Sequence, residues 1–322
     1  MKILVIGGTS FVGRHIVEQS LLNGHEVVLF NRGKTNPDLF PACRRIVGDR
    51  RTNMDQAALE HWDAVIDTSG YTPNDVKPVI EALKEKSDHY TFISTISVYD
   101  DFSKGDVDEN GTKFTHTVNT DEVTGETYGP LKVMCEKEVI EGFGEKALIV
   151  RPCIVVGPDD PTDRFTYWAM RTVEEGPIAI PEGDRKVQWI DVRDLAKWII
   201  DMIEGNKTGT FNAAAEPVSF RAFIDELIAD QGTETIAIPD TVMAKVEMEP
   251  KHRFPLWMPI TEQFPQGFFI VDASKAVEAG LSIRPLRDTT DDTREWAAQL
   301  DSGTCKVGPT KEIEKLLIEL SN

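Results

Sequence analysis

Met1-Lys2-Ile3-Leu4-Val5-Ile6-Gly7-Gly8-Thr9-Ser10-Phe11-Val12-Gly13 opens the chain, an apolar β-type run that empties directly into a glycine-rich turn. A buried strand, a tight turn and a helix beginning near Phe11 aim unpaired backbone N–H groups at one point. The partial positive charge of a helix N-terminus adds to their pull on an anion. This geometry suits the pyrophosphate of a dinucleotide. The spacing Gly7-x-x-Ser10-x-x-Gly13 puts serine where the middle glycine of a G-x-x-G-x-x-G loop would stand. Gly7 is expected to make the tight turn and Gly13 to let the helix pack close to the sheet. Ser10 narrows the approach to phosphate, but its hydroxyl can donate a hydrogen bond. Thr9, Phe11 and Val12 are expected to complete the cradle.

At 322 residues the chain suits a cofactor domain joined to a second, smaller part. No stretch approaches the roughly 18 to 20 apolar residues that span a bilayer, and strand-forming residues begin at position 2. A cytoplasmic protein with no membrane contact is therefore expected. Cys43, Cys135, Cys153 and Cys305 are scattered and read as reduced thiols. The six histidines lack metal-ligand spacing, so no metal is expected. A formal net charge of −19 opposes binding to nucleic acid, whose phosphates call for clustered Lys and Arg. Asp100, Asp101, Asp106, Asp108 and Glu109 read as one solvated loop.

Short apolar runs at 2–6, 25–30, 45–48, 63–67, 90–94 and 147–150 alternate with helical patterns near 11–22, 55–61, 73–86 and 128–142. Val12, Ile16, Val17 and Leu21 keep a helical period, and Asn23-Gly24 is a good stop. Such alternation predicts an α/β fold: a Rossmann doubly wound parallel sheet, with ligands at the carboxyl ends of its strands. The dinucleotide-binding part is assigned to residues 1–156 plus about 185–215. A smaller substrate-binding subdomain is assigned to about 157–184 and 216–322. Within these lie helical patterns near 165–175, 220–230 and 311–320, and a strand and helix over 187–204. There Asp191 and Asp194 have capping-box spacing.

Tyr128 and Lys132 stand four apart near the start of a helix, one turn from each other on one face. A nearby ammonium favours phenolate, so Lys132 is expected to pull the Tyr128 pKa down from about 10 toward a working proton donor or acceptor. Thr95 follows the last buried residues of the fifth strand. There a hydroxyl can bond a substrate carbonyl or alcohol oxygen. Trp257, Met258 and Phe264 could line a substrate pocket or belong to an aromatic core.

These stretches fall in a telling order: G-G-T-x-F-x-G, then I-S-T-x-x-V-Y, Y-G-x-x-K, R-P-x-x-V-x-G-P, and Gln188 to Ala196. Over roughly residues 1 to 215 the chain resembles the extended short-chain dehydrogenase/reductase superfamily, in its NAD-dependent epimerase/dehydratase branch. Asp67-Thr68-Ser69-Gly70-Tyr71 and Asn31-Arg32-Gly33 are similar to bacterial relatives of the chloroplast stem-loop-binding proteins. The resemblance implies a catalytic triad of Thr95, Tyr128 and Lys132, with Tyr128 as acid/base and Lys132 on the nicotinamide ribose. It also implies cofactor contacts from Asp49 and Arg50 after the third strand, from Thr68, Ser69 and Gly70 after the fourth, and from Pro152. The position where sugar-nucleotide enzymes of this kind often carry a phosphate-binding arginine is Val187, with Arg185 two residues away.

The end of the second strand normally holds an acid for the adenosine ribose of NAD. Here Asn31, Arg32 and Lys34 stand there, which accommodates a 2′-phosphate and favours NADP over NAD. The expected function is an NAD(P)-dependent oxidoreductase or epimerase/dehydratase acting on a small hydroxyl or carbonyl substrate, with a homodimer possible. The alternative is a nucleotide-sensing or RNA-associated protein on the same fold, and the acidic charge counts against it.

Overall fold

A computed structural model describes residues 1–228, 232–300 and 305–321. The first half alternates β1 (Lys2–Ile6), α1 (Phe11–Leu22), β2 (Glu26–Asn31), β3 (Arg44–Val47), β4 (Ala64–Asp67), α2 (Pro73–Leu83), β5 (Tyr90–Ile93), α3 (Tyr128–Phe143) and β6 (Ala147–Pro152). After β7 (Ile154–Val156) come α4 (Arg164–Arg171), β8 (Ile178–Pro181), β9 (Lys186–Val187), β10 (Trp189–Asp191), α5 (Val192–Glu204) and β11 (Gly209–Ala213). The rest comprises β12 (Val218–Ser219), α6 (Phe220–Ile228), β13 (Thr235–Ile238), α7 (Asp240–Met243), α8 (Ser274–Glu278), α9 (Leu286–Ala297) and α10 (Lys311–Ser321).

Seven strands form one parallel sheet in the order β11-β6-β5-β4-β1-β2-β3. The inner strands are buried on both faces because helices cover both, while the edge strand β3 (Arg44-Arg45-Ile46-Val47) buries only Ile46. Ile3 and Val5 of β1 join Ile16 and Val17 of α1 and Leu195 and Ile199 of α5 in one core. Leu4 and Ile6 point the other way, into a core shared with Val76 and Val79 of α2 and Val139 of α3. The doubly wound α/β fold read from the sequence is thus the observed one. A third core gathers Phe165 and Trp168 of α4, Ile178 and Ile180 of β8, Phe220 and Phe223 of α6, and Leu317 of α10.

Local expectations fail where tertiary contacts intervene. The 55–61 pattern makes only a 3-10 turn over Met54–Leu59, closed when the Trp62 indole N–H donates to the Ala57 carbonyl at 2.9 Å. α2 ends at Leu83, not 86, because the Lys86 carbonyl turns back to accept the Trp62 N–H. Asp191 does cap α5, accepting the Arg193 N–H at 2.8 Å. Asp194 makes no capping box; its carboxylate holds the N–H and Nε of Arg284 at 2.8 and 2.9 Å. Of the 220–230 helix, residues 229 and 230 lie outside the described residues.

A buried polar network braces the sheet near its carboxyl edge. Arg151 of β6, 1% exposed, donates to both oxygens of Glu136 of α3 at 2.9 and 2.6 Å, and to the Tyr99 hydroxyl at 2.8 Å. Ser94 donates to Glu136, and Tyr99 to Asn212 of β11. Removing one partner strands a charge away from water. Arg151→Met is expected to lower the unfolding free energy by about 3–5 kcal/mol in urea titration. Pairing it with Glu136→Leu should restore much of the loss.

Candidate active site

The carboxyl ends of β1 to β6 open into one cleft of about 950 Å³. Its floor at β1 depends on two missing side chains. Gly7 has φ +104°, its N–H donates to the Phe30 carbonyl at 2.9 Å, and a Cβ there would overlap the Thr68 hydroxyl. A Cβ at Gly13 would lie 2.9 Å from the Gly8 nitrogen. Ser10 is exposed at the N-cap of α1, makes no side-chain capping bond, and lines the cleft with Thr9, Phe11 and Val12.

Asn31 lines the cleft, but its amide works inside the protein. Nδ2 donates to the Gly7 carbonyl at 2.9 Å and Oδ1 accepts the Gly33 N–H at 3.0 Å, joining the two loops. Arg32 and Lys34 are exposed beside it and enter no ion pair among the described residues. Asp49 lines the same end. Arg50 also lines the cleft, yet its guanidinium is held by Asp67, which is fully buried at the end of β4. Nη1 meets Oδ1 at 2.9 Å, Nη2 meets Oδ2, and Nε donates to the Asp75 carbonyl at 2.8 Å. Burial works to raise the Asp67 carboxyl; the Arg50 charge and hydrogen bonds outweigh it and hold the carboxyl below the usual range. Ser69 touches this pair through its hydroxyl, and Thr68 donates to the Ile6 carbonyl at 2.9 Å.

Thr95, Tyr128 and Lys132 all line this cleft, as do Gly70 and Pro152. The Thr95 Oγ1 accepts the Ser97 N–H at 3.1 Å, donates to the Ser97 hydroxyl at 3.2 Å and lies beside the Tyr128 phenol. The Lys132 ammonium, 3% exposed, donates to the carbonyls of Gly70 and Ile93, both at 2.7 Å, and lies 4.1 Å from the centre of the Phe92 ring. Burial pulls it down to about 8. The expected depression of the Tyr128 pKa by Lys132 is not found. Burial pushes the phenol above its ordinary value, the Thr95 hydrogen bond opposes it, and the ammonium is engaged by carbonyls.

The far wall is where sequence reading falls short. Trp257 packs on Phe220 with ring centroids 5.1 Å apart, and Phe264 on Phe268 at 4.9 Å; neither they nor Met258 line the cleft. Phe269 does, with Tyr71 and the loop residues Asp160, Thr162 and Arg164. Their only signal was a proline- and aspartate-rich loop followed by a cation in the first turn of a helix. Val187 is buried in β9, and the Arg185 guanidinium donates to the carbonyls of Pro259, Phe264 and Pro265, so neither reaches the cleft. The loop is clamped to α1: Arg14 Nη1 meets Asp159 at 2.5 Å, and His15 Nε2 lies 3.1 Å from the Pro158 carbonyl and 3.4 Å from Asp159.

A model of the NAD dependent epimerase/dehydratase family matches residues 3–214. The chain is 26% identical over 235 residues to the chloroplast stem-loop binding protein of 41 kDa b from Arabidopsis thaliana, a match covering 67% of this chain and 59% of that protein. It therefore spans well under two thirds of that relative's length. The fold is similar to that of the UDP-glucuronic acid 4-epimerase of Bacillus cereus in complex with NAD, with TM-score 0.66, 20% identity, and coverage of 93% of this chain and 99% of that one. The Bordetella bronchiseptica enzyme WbmH in complex with NAD+ gives TM-score 0.67 at 18% identity, covering 94% and 99%. No described helix is long and apolar enough to cross a membrane.

The clamp on α1 has a defined pH range. Burial alone would lower His15, but hydrogen bonds to Asp159 and Glu18 carry it up to about 9. A raised folded pKa stabilises fully below the unfolded value near 6.5 and loses that contribution as pH rises through about 9. The melting-temperature gap between the wild type and His15→Gln should therefore be widest at pH 6 and close by pH 10.

Proposed function

We infer that this chain, which belongs to the NAD dependent epimerase/dehydratase family, is an enzyme of that class. From that premise we propose that it oxidises and reduces a small hydroxyl or carbonyl compound through Thr95, Tyr128 and Lys132, with NADP(H) as the favoured cofactor. The observation that carries this reading is the convergence of the three side chains on the cleft floored by Gly7 and Gly13. The floor suits a pyrophosphate: without Cβ atoms at Gly7 and Gly13 the start of α1 packs against the Gly8 backbone and the Thr68 hydroxyl, which sets the helix N-terminus at the cleft. When bound, the nicotinamide supplies the donor or acceptor of a hydride.

The chain's own groups handle the oxygen and its proton. Tyr128 is protonated at neutral pH, since burial raises its pKa, which favours donation to an oxygen gaining negative charge, the reductive sense. Thr95, beside the phenol, holds the same oxygen. Lys132, fixed on Gly70 and Ile93, orients the ribose and keeps a positive charge beneath the site. The core around α4, α6 and β8 forms the substrate half, in residues of about 157–184 and 216–322.

The preference for NADP rests on Arg32 and Lys34, which face the adenosine end without ion-pair partners among the described residues, while Asn31 braces the loops. Tyr128→Phe should lower turnover by about 10²–10⁴-fold and leave the cofactor Kd unchanged; full turnover overturns the mechanism. Fluorescence titration should find NADPH bound more tightly than NADH, with the order reversed in Arg32→Glu/Lys34→Glu. Tighter NADH binding by the wild type overturns the cofactor choice.

A further inference from the structure

The two carbonyls that hold the Lys132 ammonium each belong to a residue beside a serine. Gly70 follows Ser69, and Ile93 precedes Ser94. Gly70 lies past the end of β4 and Ile93 is the last residue of β5, so the regular ladder of the sheet ends where the two carbonyls are needed. Something besides the ladder has to fix them.

Each serine is bound to a buried ion pair. The Ser69 N–H donates to the Asp67 carboxylate at 3.1 Å, and the Ser69 hydroxyl accepts Arg50 Nη1 at 3.2 Å. Asp67 is fully buried, pairs with both Nη groups of Arg50, and also accepts the Tyr90 hydroxyl at 2.9 Å. On the other side the Ser94 N–H donates to the Val150 carbonyl at 2.7 Å and the Ser94 hydroxyl to Glu136 at 2.6 Å. Glu136, 2% exposed, takes Arg151 through both of its oxygens. It stands one turn beyond Lys132 on α3, so the Glu136–Ser94 bond staples helix to strand next to the Ile93 carbonyl.

The layout answers a difficulty of buried cations. A carboxylate touching Lys132 would grip it, but would also cancel its charge toward the cleft. Here an arginine matches each carboxylate, and uncharged groups alone meet the ammonium: two carbonyls and the Phe92 ring. The titratable and charged groups that face it are Asp67 and Arg50 from the β3 and β4 ends, Cys135 and Glu136 from α3, and Tyr71, whose ring centre is 5.8 Å away. Burial pushes the Cys135 thiol up to about 12, so it carries no charge at neutral pH.

We propose that Asp67–Arg50 and Glu136–Arg151 are positioning pairs for Lys132, acting through Ser69 and Ser94 on the Gly70 and Ile93 carbonyls that seat the ammonium. The inference deepens the redox reading above and rests on it for the place of Lys132 in the chemistry. Two of the three ammonium N–H donors are engaged by the seat, which fixes the direction of the third.

The test follows Lys132 itself by NMR, in cofactor-free protein isotope-labelled at lysine Cε, with the signal assigned by its loss in Lys132→Arg. In the wild type it should titrate near 8, well below an ordinary lysine. Ser69→Ala and Ser94→Ala cut the links while Arg50 and Glu136 keep their partners, so no charge is stranded. The double variant should move the midpoint up by about one pH unit as water reaches the loosened ammonium, and each single variant part of the way. Ser69→Thr, which keeps the hydroxyl, should titrate as the wild type does. So should Ser20→Ala, which deletes a buried hydroxyl of α1 bonded to the Ile16 carbonyl. A wild-type midpoint at the ordinary lysine value overturns the proposal, as does a midpoint unmoved in the serine variants, even where their melting temperatures fall. An equal movement in Ser20→Ala marks general loosening and overturns it too. If the double variant does not fold, the single variants decide. Failure of the wild type to bind NADPH or NADH overturns the redox reading by a separate measurement, and the titration still decides the seat.

Discussion

The rest of the cleft depends on how closely backbone approaches backbone at the first turn. Without Cβ atoms at Gly7 and Gly13, α1 begins in contact with the Gly8 backbone and the Thr68 hydroxyl. The carboxyl ends of β1 and β4 then share one floor. A single methyl group at either glycine would push the helix outward, carrying its N-terminus away from the point where its N–H groups converge. Asn31 extends the same constraint to the second strand by tying the Gly7 carbonyl to the Gly33 N–H. The sheet's register does the remainder, aligning Ile6 with Phe30 and with Asp67.

Charges set deep in this floor are handled in two ways. Arg50 and Arg151 each meet a carboxylate, so the cost of removing water is offset by direct pairing. Lys132 has no carboxylate in contact among the described residues; two carbonyls and an aromatic face hold it, and burial lowers its affinity for a proton. A cation so placed keeps part of its field for whatever lies above it. The paired arginines have little left to offer, which is why Arg50 lines the cleft but acts on the scaffold.

Much of the first two hundred residues was legible because local pattern and tertiary role agree there. The strand-to-helix turn, the 3.6-residue period of α1 and the four-residue spacing of Tyr128 and Lys132 all name their own structure. The fate of the side chains was less legible. Asn31 and Arg50 read as ligands of a cofactor, and each makes its bonds within the protein, since nothing in a sequence shows that Gly7 or Asp67 lies across from it. The substrate side was hardest. β8, β9, β12 and β13 are two to four residues long, too short for a period, and Asp160, Thr162 and Arg164 are gathered by left-handed loop geometry that no spacing encodes.

The clamp between α1 and the loop after β7 gives the cleft a mechanical character. Arg14 and His15 grip Asp159 one turn into the helix whose N-terminus frames the glycine cradle, and five residues later the same loop delivers Arg164. The glycine cradle and the loop side of the cleft thus share one short segment of chain as a mechanical link. Any coupling carried by that link is reciprocal: a ligand that gains from the placement of α1 and one that gains from the placement of the loop would each help the other to the same degree.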